Sequence, residues 1–264
     1  MLLRSLLLLL VLWAPARMLA AQDGDLRLDI NIPANRLTVY QGDRVLRTYP
    51  VSVGLPGHNT PTGSFNISRA EWNPWWRPPE REWAKDDKDT PPGPNNPMGR
   101  VKLFFLPLYF IHGTPDHQNI GQAASHGCVR MLNADVIALA RLIHRQAAPQ
   151  VTNAAIDRIL ANSRTTRTVG FQDSIPLTIR YDPIVVRGDS VHVYPNIYKY
   201  NAVHSEAVYQ ALMAAGYDIK GVKREDMQRL ITRAKDTRTA FSMPIARAFV
   251  GGLQRTQSNV ALAK

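Results

Sequence analysis

Alternating apolar and polar positions dominate the part of the chain that follows its first 25 residues. At positions 26–32, Leu and Ile alternate with Arg, Asp and Asn, the period of a half-buried strand. Two further alternating runs, RLTVY and VLRTYPVSVG, flank the turn sequence QGD. TPTGSFNI (60–67) indicates a turn into another strand. Residues 26–67 therefore predict an antiparallel meander.

The middle of the chain combines one long apolar run with helical patterns. KLFFLPLYFIHG (102–113) predicts a single buried strand that ends at His112. Asn133 is suited to cap a helix, because apolar residues recur at helical spacing from Val136 to Ile143. VTNAAIDRILANS (151–163) predicts another short helix.

Strands return in SIPLTIRYDPIVV and SVHVYP, with the turn RGD between them. From about residue 203 the pattern is helical in HSEAVYQALMAAG and REDMQRLITRAK. We therefore predict a mainly β fold. Residues 26–180 form an antiparallel β-sandwich or barrel-like domain with a few helices, and residues 181–264 form a strand pair and a small helical C-terminal extension.

The N-terminal segment MLLRSLLLLLVLWAPARMLAAQ has an early basic residue, a largely apolar run at 5–14 and small residues after it. This layout is typical of a secretory signal peptide at residues 1–21, and the run is too short to span a bilayer comfortably. An uncleaved anchor stays open, because Met18 or Leu19 occupies a position that prefers a small side chain. We therefore expect an exported protein of the periplasm or cell envelope.

The charge of the chain is basic. Removing residues 1–21 lowers the formal net charge from +11 to +9, since that segment carries two arginines and no acidic residue. A basic exported protein suggests an anionic partner such as an envelope polymer or a membrane surface, although a merely soluble basic surface stays open. We expect no nucleic-acid partner, because the compartment is wrong and no binding motif appears.

The stretch IHGTPDHQNIGQAASHGCVRM (111–131) holds three of the seven histidines and the only cysteine, Cys128. Exported proteins usually pair their cysteines, so a lone one is either a buried thiol or a reactive one. His112, His117, His126 and Cys128 are possible zinc ligands, but their spacing matches no common site, and we expect no metal. The local signature of a papain-like protease is also missing.

The remaining interpretation is a cysteine nucleophile activated by a histidine base. The thiolate is the attacking species, and a free thiol is mostly protonated at neutral pH. Gly127, next to Cys128, lets a substrate carbonyl approach the sulfur and leaves backbone N–H groups to hold an oxyanion.

The pattern H-G-T followed by S-H-G-C-V-R closely resembles the active-site motif of the YkuD-type L,D-transpeptidases, which remodel peptidoglycan. VSVGLPGHNTPTGSFNI and PPGPNNPMG resemble further signatures of that family, in the expected order. The three segments together cover roughly residues 26–180. The family is mainly β, which agrees with the meander that the periodicity predicts independently.

By motif position, the resemblance implies that Cys128 is the nucleophile and that His112 is the proton donor and acceptor. Ser125 and Gly127 are structural and oxyanion-forming positions of the motif. The remaining expectations are that His126 supports the site through hydrogen bonds, that Arg130 binds a substrate carboxylate, and that Ser125 also belongs to the substrate-binding set.

The implied reaction is acyl transfer on peptidoglycan stem peptides. Cys128 attacks the carbonyl of the third, diamino-acid residue of a tetrapeptide stem, D-alanine leaves, and an amine attacks the resulting thioester. No cofactor is implied. The acceptor stays open between another stem, a free D-amino acid and the lysine of an envelope protein. An L,D-carboxypeptidase or amidase-type hydrolase and a non-catalytic wall-binding protein are the alternatives, and the His112–Cys128 pair favours an enzyme.

Residues 71–99 hold four of the five tryptophans and seven prolines, which argues against a central strand or a long helix. Long loops in compact domains are often lids or binding loops. Two interpretations stay open. Either the segment is a lid beside Cys128 in which Trp75 and Trp76 bind substrate, or it is a loop packed on its own tryptophans.

Overall fold

A computed structural model describes residues 24–256, so the signal peptide expected at residues 1–21 lies outside the described residues. The strands are β1 (Leu26–Asn31), β2 (Arg36–Gln41), β3 (Arg44–Pro50), β4 (Val53–Gly54), β5 (Gly63–Trp72), β6 (Val101–Leu106), β7 (Tyr109–Thr114), β8 (Ala123–Ser125), β9 (Val129–Leu132), β10 (Arg167–Arg180), β11 (Ile184–Arg187), β12 (Ser190–Val193) and β13 (Phe241–Pro244). The helices are α1 (Asn133–Ala147), α2 (Asn153–Ala161), α3 (Ser205–Ala214), α4 (Arg224–Lys235) and α5 (Ile245–Ala248).

An eight-stranded sheet with the order β3-β2-β1-β10-β5-β6-β7-β9 forms the body of the protein. Its neighbours are antiparallel except for the parallel pairs β1–β10 and β7–β9. Ser52, just beyond β3, exchanges two backbone hydrogen bonds of 2.9 Å with Arg130 in β9. The first and last strands of the sheet therefore approach each other, and the sheet nearly closes. The prediction of a mainly β, barrel-like fold is confirmed.

The main hydrophobic core lies on one side of this sheet, because alternate residues of each strand point to the same face. Helix α1 packs against β6, β7, β9 and β10 and covers part of that face. Each large aliphatic side chain that is fully buried contributes about 1.5–3 kcal/mol to folding. Fully buried members of this core include Ile30, Leu37, Ile67, Leu103 and Ile111 from the strands and Leu139 and Ile143 from α1.

Residues 102–113 form the hairpin β6–β7 rather than the single strand predicted from their apolar run. Leu108 in the turn has a φ of 65°, and Pro107 beside it has no amide hydrogen to give to a strand partner. The prediction is wrong because nearly all residues of both arms are apolar, so their periodicity does not reveal the turn. The hairpin sets Lys102 directly opposite His112.

The sequence position of Asn133 suggested that it caps α1. The N-cap is instead Leu132, and Asn133 is the first residue of the helix. Its side-chain oxygen instead accepts the Arg100 N–H at 2.8 Å, and its amide donates to the Thr114 carbonyl at 3.2 Å. Asn133 therefore ties the end of β7 to the residues that precede β6.

A second, smaller core lies in the C-terminal part of the described chain. The predicted strand pair β11–β12 is joined by β13, which pairs with β12. Helices α3, α4 and α5 supply most of the remaining core side chains, among them Leu212, Leu230 and Ile245. Within residues 24–256, no helix is long and apolar enough to cross a membrane.

Candidate active site

The SHGC motif, residues 125–128, connects β8 to β9, and β9 pairs with β7. His112 belongs to β7, and Cys128 immediately precedes β9, which runs parallel to β7. Both side chains line one cavity of about 1250 Å³, together with His126 and Arg130. The structure therefore brings the candidate nucleophile, the candidate base and the candidate carboxylate-binding residue into a single site.

Cys128 is a free, half-buried thiol. Its S–H contacts the Leu108 carbonyl oxygen at 3.6 Å. Burial raises the pKa of Cys128, because desolvation penalises the thiolate, while the positive charges of Arg130 and Lys102 act in the opposite direction. The thiol is therefore protonated in the resting site and needs a base in order to react.

His112 is 1% exposed, and its Nδ1 lies 2.6 Å from the Gly113 carbonyl oxygen. A carbonyl oxygen only accepts, so this contact assigns the ring proton to Nδ1 and leaves the lone pair on Nε2. Burial lowers the pKa of His112 to about 3, against a smaller opposing effect of this hydrogen bond. The ring is therefore neutral at neutral pH, which is the form that a general base requires.

The turn between β8 and β9 is held by hydrogen bonds of Ser125. Its hydroxyl donates to the Cys128 carbonyl at 2.5 Å and accepts the Gly127 N–H at 3.1 Å. Ser125 is fully buried. These bonds give Ser125 a structural role, and Ser125 also lines the cavity, so its expected contact with substrate stays a prediction. The same bonds also engage the Gly127 N–H inside the turn, and the expected oxyanion-binding role of the Gly127 region stays a prediction.

No residue with a side chain fits at position 127 in this turn without strain. The φ of Gly127 is +110°, in the region that side chains rarely adopt, and an added Cβ would lie 2.8 Å from Cε1 of Tyr109. The glycine therefore sets the backbone path that presents Cys128 to the cavity.

A buried network that the sequence did not indicate holds the same turn from the other side. The Thr60 hydroxyl accepts the Gly54 N–H at 2.8 Å and donates to the Gly127 carbonyl at 2.9 Å. The Tyr198 hydroxyl donates to the Gly54 carbonyl at 2.7 Å and accepts the Thr60 N–H at 3.1 Å. Thr60 lies within a quoted family signature, whereas Tyr198 follows β12 and carries no local signal. The turn between β8 and β9 thus depends on residues far apart in the chain.

His126 is exposed and lies between two aromatic rings. It stacks on Trp83 with ring centroids 4.0 Å apart and planes 5° apart, and it meets the edge of His58 at 4.6 Å. Burial by these neighbours lowers the pKa of His126, and His58 and Arg130 act in the same direction. Its ring therefore links the turn between β8 and β9 to the 71–99 segment.

The 71–99 segment places three of its four tryptophans at the cavity. Trp75, Trp76 and Trp83 line it, and Trp76 stacks on Trp83 with centroids 6.3 Å apart. Trp75 and Trp83 are 39% and 37% exposed, respectively. The fourth, Trp72, is fully buried and donates its Nε1–H to Nε2 of His144 at 3.2 Å. Sequence reasoning singled out Trp75 and Trp76 but missed Trp83, the ring that touches the SHGC motif.

His112, His126 and Cys128 line the same cavity, but they do not form a metal-binding group with His117. Among residues 24–256, no group of three or more His, Cys, Asp or Glu side chains is placed to hold a metal ion. Arg130 also lines the cavity, and its guanidinium donates to the Ala124 carbonyl at 3.3 Å.

A protonated thiol and a neutral histidine that share one cavity, on a nearly closed and mainly β scaffold, define a cysteine–histidine site. The family model of the YkuD L,D-transpeptidase catalytic domain matches residues 25–193, and the chain belongs to this family.

Curated relatives carry the same family name. The chain is 34% identical over 130 residues to the putative L,D-transpeptidase YkuD of Bacillus subtilis, covering 49% of this chain and 64% of that protein. It is 34% identical over 116 residues to the probable L,D-transpeptidase ErfK/SrfK of Salmonella typhimurium, covering 40% of this chain and 38% of that protein. The matches thus span from about two-fifths to just under two-thirds of these relatives. A solved L,D-transpeptidase from Mycobacterium smegmatis aligns with a TM-score of 0.39 and 17% identity over 59% of this chain and 58% of that chain.

Proposed function

We propose that the protein is an exported L,D-transpeptidase that acts on peptidoglycan stem peptides in the periplasm or cell envelope. The observation that carries the proposal is the pair of a free thiol, Cys128, and a neutral buried imidazole, His112, lining one cavity beside a tryptophan-rich loop. The membership of the YkuD family supports the same reaction class. The donor is a tetrapeptide stem, and the acceptor is an amine.

In the proposed first step, Nε2 of His112 takes the thiol proton while the sulfur attacks the carbonyl of the third residue of the donor. The two groups are both neutral at rest, so proton transfer accompanies the attack rather than preceding it. The tetrahedral intermediate then collapses to a thioester. The bond to D-alanine breaks, and the leaving amine receives the proton from His112.

In the second step an acceptor amine attacks the thioester. His112 takes a proton from the incoming amine and returns it to the departing sulfur, which restores the thiol and forms the new amide bond. We assign the binding of a donor carboxylate to Arg130, because a guanidinium pairs with a carboxylate through two hydrogen bonds. We assign contacts with the stem or its glycan to Trp75 and Trp76 of the lid. The reaction needs no cofactor and no metal.

Defined muropeptides and product identification by mass spectrometry test this proposal. We expect loss of D-alanine from the tetrapeptide donor together with a new product in which the donor is joined to an amine. Another stem, a free D-amino acid and a lysine-ended peptide of an envelope protein are offered as acceptors in separate reactions. Release of D-alanine with only the hydrolysed tripeptide would instead identify an L,D-carboxypeptidase. No turnover by a folded protein that binds peptidoglycan would identify a wall-binding protein.

A further inference from the structure

One row of directly opposed residues crosses the sheet beside the catalytic pair. Glu71 in β5 lies opposite Lys102 in β6, Lys102 lies opposite His112 in β7, and His112 lies opposite Arg130 in β9. Directly opposed residues of neighbouring strands project to the same face of a sheet. All four residues line the cavity that contains Cys128.

The neighbouring row confirms which face these residues occupy. Leu103 lies opposite Ile111, Ile111 lies opposite Val129, and all three are fully buried in the main core. Because side chains alternate along a strand, the row that contains Lys102 points away from that core and into the cavity.

The Lys102 ammonium is held in place within this wall. Its Nζ lies 2.9 Å from Oε1 of Glu71, and the two side chains are only 13% and 20% exposed. The same Nζ lies 4.9 Å from the ring centroids of Phe104 and Phe110. Charges in such a poorly solvated position are screened much less than charges at the surface. Lys102 therefore acts on its neighbours across the row.

Two cations, Lys102 and Arg130, consequently flank the neutral catalytic histidine. The positive charge on either side makes a proton on His112 less favourable and a thiolate on Cys128 more favourable. Lys102 is among the causes that lower the pKa of His112 and that oppose the raised pKa of Cys128. Besides Lys102, His112 and Cys128, the charged or titratable groups that line the cavity are Glu71, Arg77, Glu80, Asp87, Lys88, His126 and Arg130.

We propose that Lys102, held by Glu71, is a positioning residue of the transfer reaction, whose charge stabilises the thiolate of Cys128 and keeps His112 in its proton-accepting form. This inference rests on the roles that the proposed function gives to Cys128 and His112. It adds β6 to the strands that carry the motif residues. It also explains why an otherwise apolar run begins with a lysine.

The test is the rate at which iodoacetamide, a neutral reagent, alkylates the enzyme as a function of pH. Cys128 is the only cysteine, so the profile reports its pKa alone. Lys102→Met removes the charge and keeps the length of the side chain, whereas Glu71→Gln removes the opposing charge. We expect Lys102→Met to raise the pKa of Cys128 and to slow alkylation below that pKa by about tenfold. Glu71→Gln should lower the pKa and speed alkylation.

The two substitutions are expected to shift the pKa of Cys128 in opposite directions, which distinguishes an electrostatic effect from damage to the fold. If the Glu71–Lys102 pair serves only packing, both substitutions lower the melting temperature, and the pKa of Cys128 stays unchanged or moves in one common direction. That result would overturn the proposal. Lys102→Arg should restore the wild-type profile. Lys85→Met is the matched control, because Lys85 pairs with Glu82 on the exposed side of the loop, and we expect no effect on the profile.

Alkylation needs no muropeptide, so the outcome is independent of the proposed function. If the two variants shift the pKa of Cys128 in opposite directions but the protein does not act on muropeptides, the electrostatic role of Lys102 is supported and the transpeptidase function is rejected. Muropeptide turnover with an unshifted profile in both variants would retain the enzyme and reject the role of Lys102.

Discussion

The chemistry of the site depends on burial acting on two side chains in opposite senses. Burial removes the positive form of His112 and also removes the negative form of Cys128, so the resting pair is neutral. A neutral pair contains no preformed thiolate, so in the proposed reaction the base must be in place when the substrate arrives. His112 meets this demand because β7 and the Gly113 carbonyl fix both the ring and its tautomer.

Replacing His112 and replacing His126 should affect the acylation step to different extents. We expect His112→Ala to slow single-turnover acylation by roughly a hundredfold to ten-thousandfold, the usual contribution of a general base. His126→Ala should slow it less, because the exposed His126 ring stacks on Trp83. Single-turnover kinetics with a tetrapeptide donor give both rates. The reverse ranking would assign the base to His126.

The motif residues could be predicted from the sequence, but their neighbours in space could not. Cys128 and His112 stand in a recognisable spacing. Lys102 joins them only through the register of a hairpin, and that register depends on a turn at Pro107 that an apolar run conceals. Tyr198 is still farther away in the sequence. It follows β12 and acts on the turn between β8 and β9 through Thr60.

At the scale of elements, the 71–99 segment combines an anchored base with exposed rings. The Asn96 amide donates to the carbonyls of Pro74, Thr90 and Pro91, which fixes the two ends of the loop to each other. Trp75 and Trp83 meanwhile remain partly exposed at the cavity. Such an arrangement presents aromatic area with little conformational entropy to lose when a substrate binds.

Replacing Trp75 and Trp76 by alanine should therefore reduce the efficiency of acylation by muropeptides and leave thermal stability nearly unchanged. The reaction of Cys128 with iodoacetamide should also be unchanged, because that reagent needs no aromatic platform. Steady-state kinetics and thermal unfolding measure the two effects.

Trp72→Phe is the matched control for this prediction. Trp72 belongs to the same stretch of sequence but is fully buried and hydrogen-bonded to His144. We expect the control to lower stability and to keep muropeptide kinetics per folded molecule. If the Trp75 and Trp76 variants behave like the control, the loop is a structural plug and not a lid.

Strands with a clear alternation of apolar and polar residues could be predicted from the sequence. Pairings between strands that are far apart in the chain could not. The meander of β1, β2 and β3 has polar outward positions, so its period was visible. The parallel pairing of β1 with β10 joins residues about 150 positions apart, for which no local pattern exists. Strand β13 is only four residues long and gains its place by pairing with β12, which explains why its sequence gave no signal.

At the scale of the whole molecule, two buried neutral histidines should make folding sensitive to acid. His112 and His144 are each 1% exposed, and burial lowers their pKa values to about 3 and about 4. Their unfolded pKa is about 6.5. Below pH 6.5 the unfolded chain therefore binds more protons than the folded one, and stability is lost as the pH falls. Each histidine contributes about 1.4 kcal/mol per pH unit in this window.

Urea unfolding between pH 7 and pH 5 measures this dependence before most carboxylates titrate. We expect the free energy of unfolding to be flat above pH 7 with respect to these two groups and to fall below pH 6.5. His144→Gln should remove the part of the slope that His144 contributes, about 1.4 kcal/mol per pH unit, since the amide oxygen of Gln can accept the Trp72 Nε1–H. A free energy of unfolding that does not change from pH 6.5 to pH 5 would refute this account of the two histidines.

The most direct test of the central claim is the mass of the protein after rapid mixing with a tetrapeptide donor and acid quenching. The account predicts an adduct equal to the donor minus D-alanine, located by peptide mapping on the fragment that contains Cys128. Cys128→Ser, which should keep the fold, should form no such adduct and no transfer product, because an alkoxide is far harder to generate than a thiolate. An adduct on another residue, or wild-type turnover by Cys128→Ser, would contradict the assignment of Cys128 as the nucleophile.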